Sequence, residues 1–249
     1  MNHYAEFDAL IALGRETVGF VLDRAPELTA RPAASVGYST PSLMLGLHTP
    51  SLLLGIGYSS AFKKGRKLRS PGDRTDYISY EYDEAGRLLR IIHHGDSLHY
   101  RKCFLERGGW EWSVPIFHSG GAWHEYGYYC TCTRRDEQGR VLEFGQLRGD
   151  YQLILERYRY APDGRSALCE FWWYTPKLNG SDKSVPVTDT GSPADLHIFE
   201  LDLSDPKKVR GREIESWTHD QAAFRRDLSL TIAPQVHHCT QGGISHDDL

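Results

Sequence analysis

The sequence has few cysteines and no hydrophobic run long enough to cross a membrane without interruption. Its five cysteines are an odd number, and their spacing matches no disulfide framework, so we expect reduced thiols. Residues 32–62 contain no Asp, Glu, Lys or Arg, but His48-Thr49-Pro50-Ser51 divides them into two apolar runs. A transmembrane helix needs roughly 20 consecutive apolar residues. We therefore interpret this stretch as two buried strands joined by a turn, and we predict no membrane contact.

An export signal is also missing from the first residues. Glu6 and Asp8 lie where a signal peptide carries basic side chains, and together with the reduced cysteines this predicts a cytoplasmic protein. The net charge of −4 and the isoelectric point of about 6.3 give no attraction for nucleic acid. The densest basic run, Lys63 to Lys67, lacks the interleaved aromatic residues that stack on bases, so we interpret it as a solvated turn. We predict no nucleic-acid partner.

Catalytic motifs are absent as well. The chain contains no G-x-S-x-G elbow, P-loop or G-x-G-x-x-G, and no pair of carboxylates is spaced for acid–base catalysis. Seven residues could in principle supply zinc ligands or a cysteine nucleophile with a histidine base. They are His93, His94, His99, His118, His124, Cys130 and Cys132. Their spacing fits no familiar metal pattern, so we predict no metal, no cofactor and no catalytic residue, and keep a hydrolase or transferase as the alternative.

What the sequence does contain is a repeated turn. The best copy runs from Ile78 to Ile92, ISYEYDEAGRLLRII, and the Gly-Arg dipeptide at Gly86 recurs at Gly139 and Gly164. Aromatic residues alternate before the first and third turns, which is typical of a strand with one aromatic face. Glycine adopts the positive φ that closes a short hairpin loop, and Asp near the turn binds the backbone two residues on. Each copy therefore predicts a β-hairpin.

The pattern resembles the YD repeats of bacterial Rhs proteins, with Tyr80-x-Tyr82-Asp83-x-x-Gly86-Arg87-Leu88 as the best match. It is similar, less closely, to the MORN-type hairpins of some toxin-neutralising proteins. The resemblance covers residues 77–175 at most, and it implies a sheet of hairpins and a partner from bacterial toxin systems. It implies no catalytic residue.

Helical patterns flank this repeat region. Residues 2–25 carry apolar side chains at helical spacing and predict an amphipathic helix that Pro26 ends. Thr218 and Gln221 are spaced as a capping box and predict a second, short helix. We expect one mainly β domain (α+β) over residues 1–234, a twisted antiparallel sheet of consecutive hairpins covered by both helices. Residues 179–193 form a predicted loop, and residues 235–249 a polar tail.

Aromatic residues cluster around two glycine-rich turns of the repeat region. Trp and Tyr are enriched where a surface anchors a partner, so we assign five of them to a partner-binding surface, with the core of the sheet as the alternative. They are Trp110, Trp112, Trp123, Tyr126 and Tyr128. The predicted function is a non-catalytic binding protein, an immunity protein that occludes a bacterial Rhs-type toxin. A carbohydrate-binding module that uses exposed tryptophans is a further alternative.

Overall fold

The amino-terminal helix is present, but the chain stays helical past the predicted end. The computed structural model describes residues 3–41, 50–53, 65–95, 100–126, 129–148, 152–175, 194–205, 208–217 and 230–232. Helix α1 spans His3–Asp23 and helix α2 spans Ala25–Ala30. The first helix ends at Asp23, before Pro26 and close to the predicted end at residue 25. Helical structure does not stop there, however, because Pro26 lies in the first turn of α2, where its missing N–H would be unpaired in any helix. Neither of these two helices is long and apolar enough to span a bilayer.

The described strands form one antiparallel sheet, which confirms the predicted fold class. The strands are β1 (Ser35–Ser39), β2 (Lys67–Leu68), β3 (Tyr77–Tyr82), β4 (Leu88–His94), β5 (Tyr100–Arg107), β6 (Trp110–Ser119), β7 (Ala122–Glu125), β8 (Tyr129–Arg135), β9 (Val141–Arg148), β10 (Gln152–Tyr160), β11 (Ser166–Tyr174), β12 (Ala194–Asp205), β13 (Lys208–Trp217) and β14 (Leu230–Ile232). From β14 back to β3 the spatial order follows the chain, except that β7 pairs only with β6, and β1 and β2 complete the edge beyond β3.

The Gly-Arg dipeptides of the three repeated turns, at Gly86, Gly139 and Gly164, all lie at hairpin tips, as predicted. Gly86, Gly139 and Gly164 have φ values of 73°, 79° and 68°, in the region that favours glycine. At the first tip, Asp83 Oδ1 accepts hydrogen bonds of 2.9 Å from the backbone N–H groups of Ala85 and Arg87. The Arg87 backbone bond is the main reason why the pKa of Asp83 is lowered.

The first two tips share a β-bulge that the third tip lacks. Tyr82 pairs with Leu88 and Arg135 pairs with Val141, in each case directly after a register shift. At the third tip the strands pair regularly up to Tyr160, opposite Ala167. This copy has Ala161 where the others have the turn Asp, so the sequence difference and the geometric difference coincide.

One face of the sheet, the helix-side face, packs against α1. Phe7 of α1 lies 5.4 Å from Trp172 and 5.2 Å from Tyr174, measured between ring centroids. Gly14 allows α1 to approach the sheet closely, because a Cβ atom at this position would lie 2.5 Å from Leu147 Cδ2. The buried core beneath the helix comprises Phe7, Leu10, Ile11, Val21, Ala25, Cys103, Trp112, Val114, Ile116, Cys130, Cys132, Leu147, Leu153, Leu155 and Tyr174. The predicted amphipathic helix is therefore the cover of this half of the sheet.

The opposite face carries a second core on strands β9 to β13. Its buried members are Leu53, Val141, Phe144, Tyr158, Ala167, Cys169, Phe199, Leu201 and Val209. Leu53 and its neighbour Leu52 come from Pro50–Leu53, which forms no regular secondary structure although a buried strand is predicted there. In the remainder of that predicted stretch, residues 35–39 form β1, whereas residues 42–49 and 54–62 lie outside the described residues. Also outside the described residues are the predicted helix at Thr218, the predicted loop 179–193 and the predicted tail 235–249. Residues 230–232, which precede the tail, form β14.

Candidate partner-binding surface

Trp112, one of the five residues assigned to a partner surface, belongs to the core instead. Its side chain is 0% exposed on β6 beneath α1. The indole N–H donates a 3.0 Å hydrogen bond to the backbone oxygen of Arg107, so its one polar group is satisfied inside the protein. A partner cannot contact this ring without unfolding the core, which corrects its assignment.

The other described members of that set do not share one surface. Trp110 and Trp123 lie half-buried on the helix-side face, and each ring packs against an arginine. The guanidinium of Arg134 lies 5.1 Å from the Trp110 ring centroid, and that of Arg101 lies 5.4 Å from the Trp123 centroid. Tyr126 stacks on Tyr100 on the opposite face, with centroids 4.7 Å apart. Tyr128 lies outside the described residues.

The histidines proposed as metal ligands are also divided between the two faces. His93 and His94 are neighbours on β4, so their side chains point in opposite directions. His93 contacts Asp76 at 3.2 Å, whereas His94 contacts Ser79 at 2.9 Å. Among the described residues no three His, Cys, Asp or Glu side chains are grouped to hold a metal ion. His99 lies outside that part of the chain.

The cysteines near these histidines are poor nucleophiles. Burial raises the pKa of Cys103 to about 11 and that of Cys130 to about 12, and it also raises the pKa of Cys132. A catalytic cysteine acts as the thiolate, which electropositive and partly exposed surroundings favour. These thiols are protonated at neutral pH, and the geometry gives no support to cysteine-based catalysis.

Buried ion pairs fasten the helices to the sheet. Arg90 on β4 donates from Nε to Glu81 on β3 over 2.6 Å, and its two other nitrogens donate to the carbonyl oxygens of Leu28 and Arg31 at the end of α2, each over 2.7 Å. Each of the three guanidinium nitrogens therefore has a partner. The network links the end of α2 to β3 and β4.

A comparable network joins α1 to the next hairpins. Glu143 on β9 pairs with Arg134 on β8 and, at 2.9 Å, with Arg157 on β10. Arg157 in turn pairs with Glu6 of α1 at 2.5 Å. Glu143 and Arg134 stand at the same distances from Gly139 as Arg90 and Glu81 do from Gly86, with the charges exchanged. Both hairpins thus use a cross-strand ion pair at the same place beneath the helical layer.

Beyond Arg157 the helix-side face is no longer covered by α1. A straight cross-strand row passes over four strands, with Arg159 on β10 opposite Leu168 on β11, Leu168 opposite Glu200 on β12, and Glu200 opposite Arg212 on β13. All four side chains are exposed, and Leu168 is 38% exposed. We call this surface the open face. It comprises Arg159, Leu168, Glu170, Ile198, Glu200 and Arg212.

The charges of the open face neutralise one another locally. Arg159 pairs with Glu170, and Arg212 pairs with Glu200 at 2.8 Å. Exposed pairs of this kind contribute little to stability, typically about 0–1 kcal/mol. They can therefore exchange their partners for groups on another molecule at small cost.

The sequence contains a pattern that indicates this surface, although the clustered aromatic residues suggest a different one. In β11 and β12, the positions that face the helix side alternate with buried residues such as Cys169 and Leu201. Such alternation is typical of a strand with one solvated face. It identifies an exposed face, but which half of the sheet α1 covers depends on the tertiary structure.

No family model, no curated protein and no solved structure matches this chain.

Proposed function

We propose that this chain is a non-catalytic binding protein that acts in the cytoplasm by occluding a protein partner through the open face. The observation that carries the proposal is the exposed row from Arg159 to Arg212 across four strands of a rigid sheet. Ladder hydrogen bonds hold the backbone that carries these side chains in a fixed position, so little backbone order has to be gained on binding.

The composition of the row suits a protein surface. Arginine is enriched at interfaces, and an aliphatic centre with a polar rim is the usual arrangement of a binding patch. Leu168 provides the apolar centre, and Arg159, Glu200 and Arg212 surround it with both signs of charge. Because the charges alternate, the surface favours a partner with an equally mixed charge pattern.

The proposed partner is a bacterial toxin domain of the Rhs type. Support for this part comes from the resemblance of the hairpin motif at Tyr80–Leu88 to YD repeats, and it is an analogy of fold rather than of a site. An immunity protein of this kind needs a stable scaffold and an exposed face, and it needs no catalytic group.

A matched pair of charge insertions tests the proposal. Leu168→Arg places a positive charge at the centre of the open face, and Gln138→Arg places the same charge on the exposed tip of the β8–β9 hairpin. Binding to any Rhs-type toxin domain that is encoded beside this chain is measured by calorimetry. We expect Leu168→Arg to weaken binding at least about tenfold, about 1.4 kcal/mol, while Gln138→Arg binds as the wild type does. Equal binding by both variants, or no binding by the wild type, would overturn the proposal.

Carbohydrate binding is a second candidate, and one observation favours it. Trp173 on β11 is 43% exposed on the face opposite the helices. An exposed indole ring offers a flat apolar surface with a polar N–H. Quenching of tryptophan fluorescence by oligosaccharides, lost in Trp173→Ala, would support this function over the first one.

A further inference from the structure

A carboxyl group is buried in the second core, and among the described residues no cation lies beside it. Glu156 on β10 is 0% exposed and lies on the face opposite the helices. Ser51 Oγ lies 2.7 Å from both of its carboxyl oxygens, and the Tyr158 hydroxyl also donates to Oε2. Buried acidic residues are ordinarily paired with a positive charge. Here two neutral hydroxyl groups take that place.

These hydroxyl groups connect the carboxyl group to the Pro50–Leu53 segment. The backbone N–H of Leu53 donates to Ser51 Oγ over 3.0 Å, and the backbone N–H of Leu52 donates to the Tyr158 hydroxyl oxygen, also over 3.0 Å. Two consecutive amides of the segment are therefore linked to one carboxyl group, each through a single hydroxyl. Each hydroxyl accepts a hydrogen bond from an amide and donates its own proton to the carboxyl group of Glu156.

Within the described part of the chain, the groups around Glu156 carry no positive charge that offsets its own. Its cross-strand neighbours are Phe144 on β9 and Phe171 on β11. The titratable groups nearest to it are Tyr158 on its own strand and Cys169 on β11, and burial raises the pKa of both. Beyond Phe171, the ring nitrogen Nδ1 of His197 lies 2.7 Å from Glu213 and is thereby occupied. From the segment itself only the Ser51 hydroxyl reaches the carboxyl group.

We propose that Glu156 is a protonation-controlled latch: the neutral carboxyl group holds the Pro50–Leu53 segment against the sheet, and its ionisation loosens the segment. Leu53 is buried in the second core and Leu52 packs against it. Loosening of the segment therefore uncovers apolar surface over Tyr158 and its neighbours. The latch is independent of the open face, which lies on the other side of the sheet.

The sign of the pH dependence follows from burial. Desolvation raises the pKa of Glu156 from 4.5 to about 7, and the hydrogen bonds from Tyr158 and Ser51 oppose this rise. When the segment leaves, water reaches the carboxyl group and its pKa falls back toward 4.5. Below that pH the group is neutral in both states and docking is strongest. Docking weakens as the pH rises from about 4.5 to about 7 and levels off above that, so the docking constant falls roughly 70-fold between pH 5 and pH 8.

Hydrogen exchange at the amides of Leu52 and Leu53 measures how often the segment leaves the sheet, because both amides bond to the hydroxyls that contact Glu156. We expect their protection factors, corrected for intrinsic exchange, to fall by roughly 50- to 100-fold from pH 5 to pH 8. In Glu156→Gln, whose neutral amide keeps an oxygen acceptor for both hydroxyls, the protection is expected to stay constant over this range.

The matched control is Glu143→Gln, which neutralises a buried carboxyl group on the helix-side face. This variant should retain the wild-type pH profile at Leu52 and Leu53. A flat profile in the wild type, or a wild-type profile in Glu156→Gln, would overturn the proposal.

A second measurement needs no variant. The carboxyl ¹³C shift of Glu156 in the wild-type protein reports its titration, and we expect a midpoint of about 7, the pH above which the amide protection stops falling. A midpoint near 4.5, or a titration at about 7 that leaves both amides fully protected, contradicts the latch.

Discussion

The covered half and the open half of the helix-side face are built from the same sheet with the same alternation of side chains, yet they use charge differently. Under the helices, the Arg90 side chain is 6% exposed and bonds to Glu81 and to two carbonyl oxygens of the α2 region. On the open face, the Arg212 side chain is 60% exposed and meets one carboxylate. The first arrangement fixes the fold, whereas the second leaves charged groups available to another molecule.

The comparison shows that the contribution of an ion pair to the stability of this protein depends on whether the pair is buried. Removing one member of a buried pair leaves the other charge without water or a partner, and this costs about 3–5 kcal/mol. Removing one member of an exposed pair allows water to replace it. The cover supplied by α1 and α2 makes the difference, so substitutions matched across its edge test the comparison.

The largest effect is expected where the cover meets the sheet. Phe7→Ala removes a fully buried ring that packs on Trp172 and Tyr174, and it should lower the free energy of unfolding by about 3–5 kcal/mol. Leu168→Ala on the open face should change it by less than about 0.5 kcal/mol. Urea denaturation of both variants measures the difference. Equal losses would mean that α1 is not the cover of this face.

Arg90→Ala is expected to cost about 3 kcal/mol, because it leaves Glu81 and two carbonyl oxygens at α2 without their donor. Arg87→Ala, in the same hairpin but with a side chain that is largely exposed, should cost less than about 1 kcal/mol. Thermal and urea denaturation give both values. A loss below 1 kcal/mol for Arg90→Ala would remove the distinction between the two halves.

Glycine substitutions change the sheet and its cover separately. Gly86 has a φ of +73° and open space around its missing Cβ, so Gly86→Ala adds backbone strain alone and should destabilise by about 1–2 kcal/mol. Gly19 lies in α1 and also has open space, so Gly19→Ala should stabilise by about 0.5–1 kcal/mol. Opposite signs in chemical denaturation are the expected result. Destabilisation by Gly19→Ala would contradict its helical, uncrowded position.

The smallest effect on stability is expected at the open face. Arg212→Ala removes an exposed partner of Glu200 and should change the free energy of unfolding by about 0–0.5 kcal/mol. Its affinity for the toxin domain should fall nonetheless, because arginine side chains contribute strongly at interfaces. Denaturation and calorimetry on the same sample separate the two quantities. A large loss of stability would mean that the Arg212–Glu200 pair supports the fold, as the buried ion pairs do.

Local chemistry accounts for what could be predicted from the sequence. The three Gly-Arg tips were predictable because the Asp side chain and the positive φ of glycine act within five residues of chain. Helix α1 was predictable from its apolar spacing. The effect of Pro26 was misjudged because proline breaks a helix in its interior but is tolerated in its first turn. The break at Arg24 places Pro26 in the first turn of α2.

The assignment of Trp112 to the predicted partner surface was wrong for a physical reason too. Trp110, Trp112 and Trp123 are close in sequence, but proximity along a hairpin does not decide whether the ring meets a helix, an arginine or solvent. Trp112 lies under α1 and the other two rings lie beneath arginines. The exposed row of the open face was not predicted, because alternation along a strand indicates a solvated face but not which half of the sheet α1 leaves uncovered.

The sequence by itself determined where the chain turns and which residues alternate along each strand, since both depend on neighbours a few positions away. Only the tertiary structure decided which side chains are covered. Tyr174 donates to Asp8 across 166 positions, and Ser51 reaches Glu156 across 105. Contacts at such separations place one half of a face under a helix and leave the other half in water, and they bury a carboxyl group that local sequence would assign to the surface.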